Sequence, residues 1–155
     1  MTNFFKKGIT VIELLVVITV LGIIFSIVIP QFSKTRENQV LKNAISDVSS
    51  SLGKAKSQTL ASLDSFSYGV HFQSDKVIIF KGTVFSISDV NNEIINIITP
   101  ANISNVTLNS ISGNEGDVYF SRLSGIPNKT GTITISTSNF SKIIRISATG
   151  TISIE

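Results

Sequence analysis

The chain has 155 residues, room for one modest domain, and is 42% hydrophobic but only 15% charged, where about 25% charged is usual for soluble globular chains. Its formal net charge of +3 comes from 13 basic and 10 acidic residues; Lys6 and Lys7 supply two of the basic ones, and the remaining balance is too even to argue for a nucleic-acid partner on charge alone. There is no Cys, which excludes a disulfide framework and thiolate metal sites.

The apolar residues are concentrated at the start. In "KKGITVIELLVVITVLGIIFSIVIP", Lys6 to Pro30, the run Ile9–Ile29 is apolar except for Glu13 and the hydroxyl residues Thr10, Thr19 and Ser26. As a helix it would reach roughly 31 Å, enough for a bilayer core. Lys34 and Arg36 follow it, so the charge asymmetry across the run is mild. A cleaved secretory signal fits poorly, because its apolar region usually spans about 7–15 residues and ends at an A-x-A site. A plain transmembrane anchor fits the length but leaves Glu13 unexplained, since a charged side chain at the centre of a membrane helix costs about 2.5–3.5 kcal/mol on insertion scales.

Gly8-Ile9-Thr10-Val11-Ile12-Glu13 resembles the class III signal of type IV pilins and pseudopilins: a short basic leader ending in Gly, a cut after it, and Glu as the fifth mature residue. Gly22 and Pro30 also stand where that family commonly has a helix-softening Gly and a Pro, while Ile9 replaces the more frequent Phe. The resemblance implies a leader peptide over 1–8, cleavage by prepilin peptidase between Gly8 and Ile9, and N-methylation of Ile9. It implies that Glu13 meets the new amine of a neighbouring subunit during assembly. It also implies a single pass over 9–29 through the bacterial cytoplasmic membrane, N-terminus cytoplasmic and head extracytoplasmic, and after processing a place in a pilus or pseudopilus. The implied partners are other pilin-like subunits through the N-terminal helix, the peptidase, an inner-membrane assembly platform and membrane lipid.

Elementary chemistry agrees with those positions. Gly8 has no side chain to obstruct a protease approaching the backbone. Gly22 weakens a helix by about 1 kcal/mol relative to Ala, and Pro30 removes one helix hydrogen bond and favours a kink. A carboxylate paired with an ammonium is far more tolerable in an apolar setting than either group alone.

After Pro30, Leu41, Ala44, Ile45, Val48, Leu52, Ala55 and Leu60 recur mostly at three- and four-residue steps, which predicts that the helix continues to about Leu63 with this stripe covered by a sheet. From Asp64 the period changes to two. "FSYGVHF" and "KVIIFKG" flank "QSD", a hairpin turn; "TVFSI", "EIINIIT", "NVTLNSI", "DVYFSRL", "TITIS", "KIIRISA" and "TISIE" follow as strands. The last two, joined at Thr149-Gly150-Thr151, predict a terminal hairpin. The expected fold is α+β: a helix over 9–63 on an antiparallel, β-rich head over 64–155, arranged as two sheets. "YGVHFQSDKVIIFKG", "VYFSRLSGIPNKTGTITIS" and "KIIRISATGTI" resemble the heads of the GspH/FimT-type minor pseudopilins in strand order and glycine turns.

The sequence offers little for catalysis, and no enzyme or cofactor is expected. His71, the only His, lies in an alternating strand and reads as a packed or edge residue. Asp89, Asn91, Asn92 and Glu93 make an oxygen-rich loop without full EF-hand spacing; a solvated turn is the simpler reading, a bound ion the other. Arg122, Lys129, Lys142 and Arg145 are candidates for a basic patch that contacts DNA, with solvated strand faces as the simpler account. The expected function is therefore a minor pilin or pseudopilin subunit of a type II secretion pseudopilus or a type IV pilus. A pilus-associated, DNA-binding minor pilin for transformation is the alternative.

Overall fold

The computed structural model describes residues 8–155. Most of the basic leader, including Lys6 and Lys7, lies outside the described residues. One helix, α1 (Val11–Leu60), is followed by a single 3-10 turn (Leu63–Ser65) and nine strands. The chain divides into two compact units, Met1–Arg36 and Glu37–Glu155.

Within the first unit, α1 begins with a capping arrangement. The Glu13 N–H donates to the Thr10 hydroxyl at 3.3 Å, so Thr10 satisfies one of the orphan donors of the first turn. The apolar part of α1 is long and apolar enough to cross a membrane, and none of its most apolar window is buried. Its two further hydroxyls are satisfied within the helix: Thr19 donates to the Val16 carbonyl at 2.8 Å and Ser26 to the Ile23 carbonyl at 2.9 Å. Neither leaves a free donor to an apolar surrounding. Pro30 lies inside the helix, which runs on through it as one element. The loss of one donor is not enough to break the element.

In the second unit the same helix becomes the spine of the head. Leu41, Ala44, Ile45, Val48, Leu52 and Ala55 are buried, as their spacing predicts. The stripe then continues through Thr59 and not through Leu60, which is half exposed. Thr59 is one further step of four along the stripe, whereas Leu60 is turned about 100° away from it. Its hydroxyl donates to the Ala55 carbonyl at 2.9 Å and accepts from the Tyr68 N–H at 2.8 Å, which ties the end of α1 to the first strand. The helix ends at Leu60, three residues before the predicted end. Positive φ at Ser62, Asp64 and Ser65 reverses the chain there.

The strands are β1 (Tyr68–Phe72), β2 (Lys76–Lys81), β3 (Glu93–Asn96), β4 (Asn102–Leu108), β5 (Ile111–Gly113), β6 (Gly116–Tyr119), β7 (Gly131–Ser136), β8 (Ser141–Ile146) and β9 (Ile152–Ile154). They form a four-stranded sheet, β3-β2-β1-β6, and a five-stranded sheet, β5-β4-β7-β8-β9, in which every pairing is antiparallel. Alternation sends Val70 and Phe72 of β1, Val77 and Ile79 of β2, Ile133 and Ile135 of β7, and Ile144 and Ile146 of β8 into one core with the helix stripe. This is the expected α+β head with two sheets, and the terminal hairpin is β8–β9.

One predicted strand is absent. "TVFSI" forms no strand; its Phe85 instead folds over the outer face of the four-stranded sheet. Gly69, His71, Ile78 and Phe80 are buried on that face, and the Phe80 and Phe85 rings meet edge-on at 5.6 Å. The neighbouring place beside β2 is already taken by β3, so the segment has no ladder to join there. Gly69 is required by this small second core: a Cβ there would stand 2.7 Å from Phe80 Cε1 and 2.8 Å from the Val118 carbonyl oxygen.

Candidate functional site

The first candidate is the start of α1. Thr10-Val11-Ile12-Glu13 places a hydroxyl at the N-cap and a carboxylate three residues on, the pattern of a capping box. Glu13 therefore has a local role: it stands in the first turn, where the helix dipole favours negative charge. The pattern was legible in the sequence as T-x-x-E before an apolar run, a signal that the pilin-like motif overshadows. Gly8 and Ile9 precede the helix in irregular, exposed chain. Gly22 has no neighbouring atom within 4 Å of where its Cβ would stand, so nothing in the chain's own packing requires the glycine.

His71 sits on the outer face of β1, buried, with its ring stacked on Phe85 at 3.9 Å and 5° between planes. Nδ1 is buried without a hydrogen-bond partner, and Nε2 lies 4.0 Å from Glu115 Oε2. Burial holds the imidazole below its ordinary value, outweighing the pull of Glu115 and Asp117 toward protonation. At neutral pH the approach to Glu115 is thus a contact with a neutral ring. His71 is a packing residue of the second core.

The oxygen-rich loop does not gather its ligands. Asp89 Oδ1 accepts from the Asn91 N–H at 2.9 Å and the Asn91 side-chain amide at 2.8 Å, a self-contained Asx turn, and these bonds hold the Asp89 carboxyl below its usual range. Asn92 donates to the Ser86 carbonyl at 2.7 Å. Glu93 leaves the loop altogether and takes the Lys54 ammonium at 2.6 Å, joining β3 to α1. Among the described residues no three His, Asp or Glu side chains are grouped to hold a metal ion.

The four basic candidates do not share a face. Lys142 alternates with Ile144 and Ile146 and so lies on the inner side of β8, whereas Arg145 lies on the outer side. Arg145 is bound to Glu155 by two hydrogen bonds, 2.6 and 3.1 Å, which raise the guanidinium and lower the carboxyl from their ordinary values. Lys129 donates to the Asp117 backbone and lies 3.4 Å from its carboxylate. Arg122 is exposed in the loop after β6. Two of the four charges are already neutralised by acids, and the two strand residues point to opposite sides. No family model, curated protein or solved structure matches the chain.

Proposed function

We propose that the chain is a minor pilin-like subunit, cleaved after Gly8, methylated at Ile9 and built into a pseudopilus or pilus through the exposed apolar half of α1. One observation carries the reading: a single unbroken helix is wholly exposed and membrane-length at its start, bears one acid in its first turn, and serves as the core spine of a β head at its end. A helix that needed only to anchor the head could end at the bilayer and would need no acid. An apolar helix without internal contacts, carrying an ionisable group at its start, suits packing against copies of itself in which that group finds an ammonium. On this reading the head lies on the far side of the cytoplasmic membrane from the leader. Prepilin peptidase, the assembly platform, sibling subunits and surrounding lipid are then its partners. Capture of DNA is the second function the sequence raises, but the dispersed basic residues give it no common surface.

The local capping role of Glu13 sets the test. Glu13→Gln keeps a residue accepted at the third position of a capping box but removes the charge. Intact-mass measurement should show the leader removed and Ile9 methylated in both proteins, because Glu13 lies beyond the cleaved bond. Cross-linking to sibling subunits in membranes should be lost in the Gln variant. Wild-type cross-link yield from Glu13→Gln would reduce Glu13 to a helix cap and remove the assembly reading.

A further inference from the structure

The five-stranded sheet ends at β9, and that edge is open. Ile143 and Glu155 exchange two backbone hydrogen bonds, and the Ser147 N–H donates to the Thr151 carbonyl. Thr151, Ser153 and Glu155 therefore present their N–H and C=O groups to β8. Strand alternation leaves those of Ile152 and Ile154 facing away from β8, on the unpaired side.

Beside that edge lies an open groove of about 490 Å³ between the helix and the end of the sheet, lined by Leu41, Lys42, Ile45, Phe140, Lys142 and Ile154 among others. Leu41 and Ile45 belong to the core stripe, yet they also form its floor. Ile154 projects to the inner side opposite Ile144 and is 53% exposed, so the sheet stops before it has fully covered the helix. The charges at this groove are of one sign. Lys42 and Lys142 line it, no Asp or Glu does, and among the described residues neither ammonium has an ion-pair or hydrogen-bond partner. This sets them apart from Lys54, Lys81, Lys129 and Arg145, each of which is paired with an acid.

We propose that the open edge of β9 and the adjoining groove take an extended, acidic peptide segment of a partner protein as a sixth strand of this sheet. An added strand stands about 4.8 Å outboard of β9 and takes the free groups of Ile152 and Ile154 in its own ladder. Alternate side chains of that strand point inward toward the helix, where the floor of Leu41 and Ile45 takes an aliphatic residue. Lys142 lies on that same inner side and Lys42 lines the same groove, so the carboxylates that meet them belong to the same inward-facing set and flank the aliphatic residue. A helix could fill the groove but has no free main-chain groups to offer the edge. A second copy pairing through its own β9 brings only Glu155, which Arg145 already holds. This inference concerns the head alone and stands independently of how the N-terminal segment is processed.

The test uses the full chain in neutral-detergent micelles and a capped probe peptide, Thr-Glu-Thr-Val-Thr-Asp-Thr, whose Glu, Val and Asp share one face, with a second peptide in which each acid is replaced by Lys. The acidic probe should bind in the micromolar to submillimolar range, and hydrogen exchange at the Ile152 and Ile154 amides should slow on binding. Reversing both charges, Lys42→Glu with Lys142→Glu, should weaken binding at least about tenfold, since like charges then face each other. Of the backbone donors of β9, Ile154→Pro removes only the outward-facing one, and it also shortens the side chain that lines the groove. It should abolish binding while the amides of Ser153 and Glu155 stay protected, and Ile154→Val should bind as wild type. Equal binding of the lysine probe, unchanged exchange at Ile152 and Ile154, or full binding by Ile154→Pro would each overturn the proposal. So would a dimer that protects those two amides without peptide, because the edge would then belong to a second copy.

Discussion

At the scale of single residues, the polar groups inside apolar surroundings carry most of the information, and His71 shows how. Its ring is buried under Phe85 with Nδ1 unpartnered, and burial keeps its folded value below the ordinary 6.5. The folded state therefore prefers the neutral ring. The stabilisation this gives is fully present above about pH 6.5 and is lost as pH falls from there through the lowered folded value. Thermal melts between pH 7.5 and pH 5 should show Tm falling on acidification in the wild type, and a shallower fall in His71→Phe, which keeps the stack without the titration. The carboxylates whose values are lowered, Asp64, Asp89 and Glu155, titrate below this window and do not obscure it. An identical pH slope in the variant would mean that His71 is not the titrating group. Gly69 belongs to the same small core. Gly69→Ala should cost about 1–3 kcal/mol in chemical denaturation, the usual penalty for overpacking, since Phe80 can shift but the Val118 carbonyl cannot.

At the scale of elements, α1 is two helices in chemical terms. Its first half has no internal partner, so its stability as a helix depends on the capped start, the satisfied hydroxyls and an apolar surrounding in which backbone groups must bond to each other. Its second half is held by packing. Leu52 is fully buried in the core shared with both sheets, and Leu52→Ala should cost about 2–5 kcal/mol, the range for truncating a buried leucine. Leu60→Ala, about two turns further and off the stripe, should cost well under half of that because Leu60 is 45% exposed. Equal losses at the two positions, measured as denaturation midpoints, would contradict this placement of the stripe.

At the scale of the whole molecule, residues 37–155 hold a complete core of their own. A fragment beginning near Phe32 should be soluble and give a circular dichroism spectrum with both helix and strand contributions; a purely helical spectrum or aggregation would refute the architecture. The same fragment tests the DNA reading. Lys142 and Arg145 lie on opposite sides of β8 and Arg145 is already held by Glu155, so it should not retard double-stranded DNA even at low salt, where phosphate contacts are strongest. Retardation that weakens steeply with added salt would restore DNA capture as a function.

The sequence alone determined the features that arise within a few residues of one another. The membrane-length run, the acid in it, the helical stripe from Leu41 to Ala55 and the change to a two-residue period near Asp64 were all legible, because each depends on local periodicity and on side-chain burial of a fixed sense. Eight of the predicted strand segments became strands or parts of them for the same reason. Tertiary structure decided what depends on which partners are already taken. "TVFSI" has a strand's composition but no free edge beside β2, so Phe85 became a lid over His71. Glu93 left an oxygen-rich loop because Lys54 on the helix lies 2.6 Å away. Lys142 and Arg145, three residues apart, looked like neighbours in a basic patch, but an odd separation on a strand puts two side chains on opposite faces, and only the pairing with Glu155 showed which charge was still unspent.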